Sequence, residues 1–431
     1  MAKQEHKYSF SAPLQTKAID KEEPARKRRI SQTFSALRHP NYRLWFAGQL
    51  VSLVGTWMQT TAQGYLIFQL TGSPAYLGYV GFAAGIPSWL LTLYGGVVAD
   101  RMPRRTLLIL TQSFMMLLAF ILAGLTFANL IQPWHVIVMA FLLGTANAFD
   151  APARQAFVLE MVTREDMTNA IALNSTIFNS GTAVGPAVAG LTYALFGPAW
   201  CFTINGVSFL AVIVALLLMK LQPWTPPSRK ASALGDIKIG LKYVVAHQVI
   251  LVLILGLGVA ALFGMGFVTL MPAWAVKVLG GDVTTNGMLQ SARGIGAMLG
   301  ALLIASLGAF TFRGKLLTIG SFAFPVMLLL YSLVRWLPLS LIILVGVGCG
   351  FMLFVNLSNS LIQTQVPDDL RGRVMSIFTL SFFGLFPIGS LLAGTLATYI
   401  GEPTTVMLSA LFMLAFAGLA YWRIPTLHRL S

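Results

Sequence analysis

Two features of this chain have residue types suited to chemistry. The first is the run GGVVADRMPRR at residues 95–105, where Asp100, Arg101, Arg104 and Arg105 interrupt long apolar stretches. One carboxylate and three guanidinium groups so close together can pair with one another or with charges on neighbouring segments. The second is Arg293, isolated in Gln290-Ser291-Ala292-Arg293-Gly294-Ile295-Gly296. A guanidinium holds a carboxylate, catecholate or phosphate through two parallel hydrogen bonds. Both features suit ion pairing and binding rather than bond making. No GxxxxGK[ST] run marks a nucleotide site, and no His/Cys/Glu cluster has metal-ligand spacing. The two cysteines, Cys201 and Cys349, lie in apolar runs and read as packed thiols. The chain is therefore expected to use no cofactor and no metal, and not to be an enzyme.

The elements that position these residues follow from composition. Of 431 residues, 56% are hydrophobic and 10% are charged, against about 25% charged in soluble domains. Lipid leaves no water for unpaired backbone groups, so spans must be helices or a closed barrel. Runs such as 107–125 and 339–354 lack period-2 alternation and decide for helices. Twelve spans are expected at about 41–70, 76–99, 105–130, 133–154, 168–196, 199–219, 248–276, 284–309, 314–334, 338–364, 371–400 and 402–422. The net charge of +15 then reads as topology rather than nucleic-acid binding. With the N-terminus in the cytoplasm, all but three of the 29 Lys and Arg fall inside. Lys277 and Arg335 lie outside, and Arg293 lies within a span. That bias places both termini in the cytoplasm of a multi-pass cell-membrane protein, bathed in membrane lipid.

The largest polar interruption, 221–247, is rich in Pro and Lys/Arg and divides the spans six and six. The expected organisation is a disordered basic cytoplasmic tail (1–40), a six-helix half (41–220), a cytoplasmic linker (221–247), a second six-helix half (248–422) and a short tail (423–431). An offset of 204 superimposes Gly185 on Gly389, Gly190 on Gly394 and Gly197 on Gly401, so the halves read as parallel repeats. Paired repeats about a central site are a plan of secondary transporters. The fold class expected is an all-α membrane protein with twelve transmembrane helices in two pseudo-symmetric halves.

On these residues the chain resembles the major facilitator superfamily. Gly96, Asp100, Arg101, Arg104 and Arg105 match that family's loop between helices 2 and 3, with Pro103 where a glycine is usual. The stretches Phe149-Asp150-Ala151-Pro152-Ala153-Arg154, Thr163-Arg164-Glu165-Asp166 and Phe196-Gly197-Pro198-Ala199-Trp200 are similar to the branch holding enterobactin exporters and macrolide-efflux proteins. Gly181-x-x-x-Gly185-Pro186-x-x-x-Gly190 resembles the helix-5 motif of drug/proton antiporters. The resemblance implies export of an amphipathic small molecule, siderophore or drug-like, by alternating access with proton antiport, from a monomer. It also implies a gate in which Asp100 meets the start of helix 11 near Arg371 and a motif arginine meets Asp150, with Arg154 beside it.

For the cargo site, Arg293 lies about ten residues into span 8, ~15 Å deep at 1.5 Å per residue. Gln59 and Gln63 in span 1, Asn179 in span 5, Asn356 in span 10 and Trp274 in span 7 are candidates to join it. Such polar residues also serve as plain helix–helix glue, and both readings stand at this point. A proton carrier wants an acid in the core, and none is there; Asp150 is the fallback, and substrate protonation or a facilitated carrier without protons stands beside it. Two alternatives to small-molecule export remain: a lipid or lysolipid flippase of the same fold, and a non-transporting membrane scaffold or receptor.

Overall fold

The helices begin where proline and acidic residues favour a first turn. Pro40, Pro74, Pro133 and Pro198 each open a helix, since the first turn has no use for the missing N–H. Asp368 and Asp369 occupy the first turn of another, where a carboxylate meets the positive end of the helix dipole. The computed structural model describes residues 34–221, 233–307, 312–424 and 427, with backbone only for 233–238. Twelve long helices result: α1 (Pro40–Thr71), α2 (Pro74–Arg101), α3 (Arg104–Phe127), α4 (Pro133–Val158), α5 (Met167–Phe196), α6 (Pro198–Leu218), α7 (Gln248–Val278), α8 (Val283–Leu307), α9 (Arg313–Leu333), α10 (Leu337–Gln365), α11 (Asp368–Ile400) and α12 (Glu402–Arg423). The expected spans thus fall on helices, with ends shifted by a few residues.

Ten of the twelve are long and apolar enough to cross a bilayer by composition alone. The other two, α1 and α5, have the length, at 32 and 30 residues, but carry Gln, Asn, Ser and Thr along them. They pack among the apolar ten, where neighbouring helices satisfy part of that polarity. Two π-helical turns, Ala260–Gly264 and Trp274–Val278, interrupt α7. The 221–247 linker contains a helix that the polar reading did not anticipate, Ala233–Ala246. Its Gly240 sits against the backbone of Arg373 on α11. Residues 1–33, most of the expected N-terminal tail, lie outside the described residues.

Each half has its own apolar core. One cluster gathers Leu253, Leu257, Phe324, Leu344 and Leu361 of the second half, and others gather Trp45, Leu108, Phe157 and Leu216, or Met115 and Phe209, of the first. The break between paired helices is the same in both: Gly197 has φ 89° and ψ 171°, Gly401 φ 81° and ψ 157°. Only glycine adopts that backbone without strain. Before α1, a short 3-10 turn at Ser35–Arg38 docks on α5. Ala36 N–H donates to Asn169, and His39 Nε2 lies 2.8 Å from Asp166. Hydrogen bonds from Ser35 and His39 hold the Asp166 carboxyl below the usual carboxylate range.

Twelve helices running in alternation put the start of α1 and the end of α12 on one face, which also carries Arg101, Arg104, Arg105, Arg164, Lys220, Arg313, Arg371 and Arg423; we call it the basic face. The halves meet in the opposite part of the bundle. There α2 crosses α11 with Gly78 against Gly394 and Gly85 against Pro387, and α5 crosses α8 with Gly190 and Pro186 against Gly287 and Thr182 against Gly294. The mixed clusters, Tyr193 with Val283 and Phe68 with Ala273, lie at that same end. Small residues here let backbones touch, the mode of packing that lipid favours.

Two glycines separate folding from closure. A Cβ on Gly144 would lie 2.1 Å from the Ala84 carbonyl oxygen, inside the first half. A Cβ on Gly294 would lie 2.4 Å from the Thr182 carbonyl oxygen, between the halves. Gly144→Val is expected to lower the stability of the first half by about 1–3 kcal/mol, the usual cost of overpacking. Gly294→Val should keep a near-wild-type melting temperature but expose the opposite end to thiol reagents. Equal thermal destabilisation of the two variants would contradict this division.

Candidate transport site and gate

α8 is fixed on two sides by its small residues. Gly287 and Gly294 seat it on α5, and Gly296 and Gly300 seat it on α10, whose Gly348 approaches the Arg293 carbonyl so closely that a Cβ would lie 2.1 Å away. The third side carries Asn286, Gln290 and Arg293, spaced i, i+4, i+7 on one helical face. That side faces α1: Thr61 Oγ1 donates to Gln290 Oε1 at 3.3 Å, and Gln290 Nε2 donates to Asn286 Oδ1 at 3.1 Å. Arg293 follows one turn closer to the basic face. Its side chain is half-buried, and its Nε is buried without a hydrogen-bond partner. No ion pair to it is found among the described residues. A permanently charged group at mid-helix, unanswered by protein, is equipped to receive an anion.

The other candidate cargo residues divide. Asn179 and Asn356 are half-buried on α5 and α10, with Asn179 Nδ2 on the Ser175 carbonyl. Gln59 and Gln63 turn into the first half instead: Asn205 of α6 donates to Gln59 at 2.6 Å, and Gln63 donates to the Val136 carbonyl of α4 at 3.2 Å. Trp274 is buried, stacked on Tyr331 at 4.4 Å between ring centroids, with Arg335 over its ring. For these three the geometry is that of glue and packing. The α5 motif has two working faces. Gly181 and Gly185 lie against Trp57 of α1, whereas Pro186 and Gly190 lie against Gly287 of α8.

The charged loop is tied within its own half. Arg104 pairs with Glu160 and, at 3.5 Å, with Asp100, while Arg105 donates to the Leu217 carbonyl at 2.8 Å. Arg101 and Gly96 are exposed or open, with nothing within 4 Å of a Cβ on Gly96. Asp100 is 67% exposed, and Arg371 pairs with Asp368 of its own helix at 2.5 Å. The expected meeting of Asp100 with the start of α11 is thus not made in this conformation, whose halves meet at the other end. Nor does a motif arginine meet Asp150. Arg154, one turn along the same helix, does so at 3.4 Å, and Thr111 and Gln112 of α3 donate to Asp150 at 3.0 and 2.9 Å. The carboxylate is 1% exposed, so it needs those partners.

Sequence reasoning missed a second charged arrangement at the opposite end. Lys277 Nζ lies 3.5 Å from the buried Glu402 and 5.4 Å from the ring centroid of Phe68, on the other half. It also missed Thr61, Asn286 and Gln290 as a set; the i, i+4, i+7 spacing up to Arg293 was the available signal. Apart from these, a narrow apolar crevice opens among α7, α9, α10 and α12, with Ser321 and Tyr421 as its polar lining. None of the candidate cargo residues lines it.

Comparisons with known proteins agree with this architecture. The family model for transmembrane secretion effectors matches residues 31–429. The staphyloferrin A transporter of Staphylococcus aureus is 24% identical, over 88% of this chain and 95% of its own. The multidrug efflux pump Tap of Mycolicibacterium fortuitum is 26% identical, over 91% and 98%. The enterobactin exporter EntS of Escherichia coli is 25% identical, over 83% and 85%. Among solved structures, the nucleoside transporter NupG shares the fold with a TM-score of 0.69 at 14% identity, over 90% of this chain and 99% of that one.

The Asp150 cluster makes a stability prediction. Asp150→Ala leaves Arg154 and two donors without their acceptor and should cost about 2–4 kcal/mol, somewhat less than a fully buried pair because Arg154 is 24% exposed. Asp150→Asn keeps an acceptor for Thr111 or Gln112 and should cost less than half as much. Thermal unfolding in detergent measures both. If the two variants melt together, the hydrogen bonds are not what the carboxylate supplies.

Proposed function

Because the chain belongs to the transmembrane secretion effector family of the major facilitator superfamily, we propose that it exports an amphipathic anionic small molecule by alternating access. The observation that carries this reading is Arg293. A charge at the bilayer centre costs about 2.5–3.5 kcal/mol even on insertion scales, and a structural arginine there would be expected to have a partner. The cargo supplies it. Siderophores fit the site, since clustered carboxylate or catecholate oxygens match a guanidinium fork, and the relatives named for staphyloferrin A and enterobactin support that class. Drug-like cargo, as in the Tap relative, would qualify where it bears an anionic group.

Positive-inside bias supports a cytoplasmic basic face in a bacterial plasma membrane. On that assignment the conformation is closed to the outside and receives cargo from the cytoplasm. Asp100, exposed here, would meet the first turn of α11 when the basic end closes. An anion there gains about 0.3–1 kcal/mol from the helix dipole. Proton antiport, implied by the α5 motif, would run through Asp150, whose protonation would release Arg154.

Export from inverted vesicles tests the reading with two amphiphiles of one skeleton, one carboxylate and one neutral. Arg293→Ala should lower carboxylate export by about 10- to 100-fold, the worth of a charge-assisted hydrogen bond or two, with neutral export nearly unchanged. Arg293→Lys keeps the charge but loses the fork and should fall between. Loss of both cargoes alike, or of neither, would remove Arg293 from the cargo site.

A further inference from the structure

The side of α8 that bears Arg293 also bears a directed chain of hydrogen bonds. It starts at the Thr61 hydroxyl on α1, passes to the Gln290 carbonyl oxygen, and continues from the Gln290 amide nitrogen to Asn286 Oδ1. Thr61 is 1% exposed, Gln290 7% and Asn286 0%, so water does not share these bonds. The first link joins the two halves. The second runs along α8. Asn286 Nδ2, at the end of the chain, has no partner.

Gln290 and Arg293 stand one turn apart, with about 5–6 Å between Cβ atoms at that spacing. An amide N–H and a guanidinium so placed can reach oxygens of one carboxylate, catecholate or phosphate together. Nε2 is directed toward Asn286, on the far side of Gln290 from Arg293, so swinging the amide to an anion on Arg293 withdraws Nε2 from Asn286 and Oε1 from Thr61. Hydrogen bonds to a charged acceptor are roughly twice as strong as neutral ones. The 3.3 Å link to Thr61 is long for a hydroxyl donor. One charge-assisted bond thus offsets the two neutral links that it replaces.

We propose that Gln290 couples cargo to gating: an anion on Arg293 draws the Gln290 amide away from Thr61 and releases a catch that holds α1 to α8 at the closed end. The inference rests on the reading of Arg293 as the cargo site. Around the catch, α5 and α8 meet through Gly190, Gly287 and Gly294, backbone contacts that carry no charge and no side-chain hydrogen bond. Breaking one buried link there has little competition. Cargo arriving from the basic face thus loosens the far gate, the order that export requires.

If the Thr61–Gln290 bond only satisfied two buried groups, removing it would cost stability without favouring either conformation. Electron–electron distance measurements separate the two roles. Spin labels go on cysteines at Leu130 and Trp336, exposed positions at the opposite end, one in each half, with Cys201 and Cys349 replaced by alanine. Without cargo, Thr61→Val and, independently, Gln290→Met should raise the long-distance population at least threefold. Thr61→Ser, which keeps the hydroxyl, should leave it as in wild type. Pyrenebutyrate, an amphipathic carboxylate, should raise the same population in wild type and add nothing further in Thr61→Val. Cargo-free distributions of Thr61→Val and Gln290→Met that match wild type overturn the catch. A wild type indifferent to pyrenebutyrate overturns the coupling. If Arg293→Gln also binds pyrenebutyrate as wild type does, the Arg293 cargo site itself falls.

Discussion

A charge inside a bilayer must be answered, and that constraint organises this protein. The acids at helix ends are met within their own half: Glu160 by Arg104, Asp150 by Arg154, Asp368 by Arg371, and Glu402 by Lys277. Asp166 is met by His39 before α1 begins. Arg293 breaks the pattern. It lies near the middle of α8, half-buried, with a buried Nε and no acid beside it among the described residues. Its surroundings are arranged accordingly. Small residues clamp α8 on two sides, and the third is turned toward α1, which together with α5 is too polar to read as a membrane span by composition alone.

Closure of the bundle uses a different interaction. Where the halves meet, glycine admits backbone to backbone, as between Gly78 and Gly394 or Gly287 and Pro186. Such contacts have no charge to neutralise and little side-chain entropy to lose. Charged locks are distributed unequally between the repeats. The first half carries Asp100 and its arginines at the basic face, and the sequence 308–315 between α8 and α9 has Arg313 and Lys315 but no acid. The second half carries Lys277 and Glu402 at the opposite face, where the first half has Ser73 ahead of α2 and Pro198 at the start of α6. Each half thus contributes one polar device, at opposite ends of the transport path.

Much of the fold was legible in sequence because lipid leaves so few choices. Apolar length fixed the helices, and Pro40, Pro74, Pro133 and Pro198 marked their first turns. The Ala233–Ala246 helix was missed because prolines and basic residues dominate the linker around it. The site was harder to read. Arg293 was visible as a lone charge in an apolar run, but its neighbours were not, since Gln, Asn and Thr serve glue and cargo alike. Only rotation about the helix axis decides between the roles. Gln59 and Gln63 share α1 with Thr61, yet the two glutamines point into their own half and the threonine reaches α8. The gate expected from the charged loop is not formed in this conformation either: Asp100 is exposed beside Arg104, and Arg371 pairs with Asp368 of its own helix.

The central claim is that one guanidinium at mid-membrane discriminates cargo by charge. Equilibrium binding tests it without the complications of flux or gating. Purified protein would be titrated with a carboxylate amphiphile and its neutral isostere, and the ratio of the two affinities compared between wild type and Arg293→Gln. The account predicts at least a tenfold preference for the carboxylate in wild type and a ratio near one in the variant. A preference that survives loss of the guanidinium would show that the anion is read elsewhere.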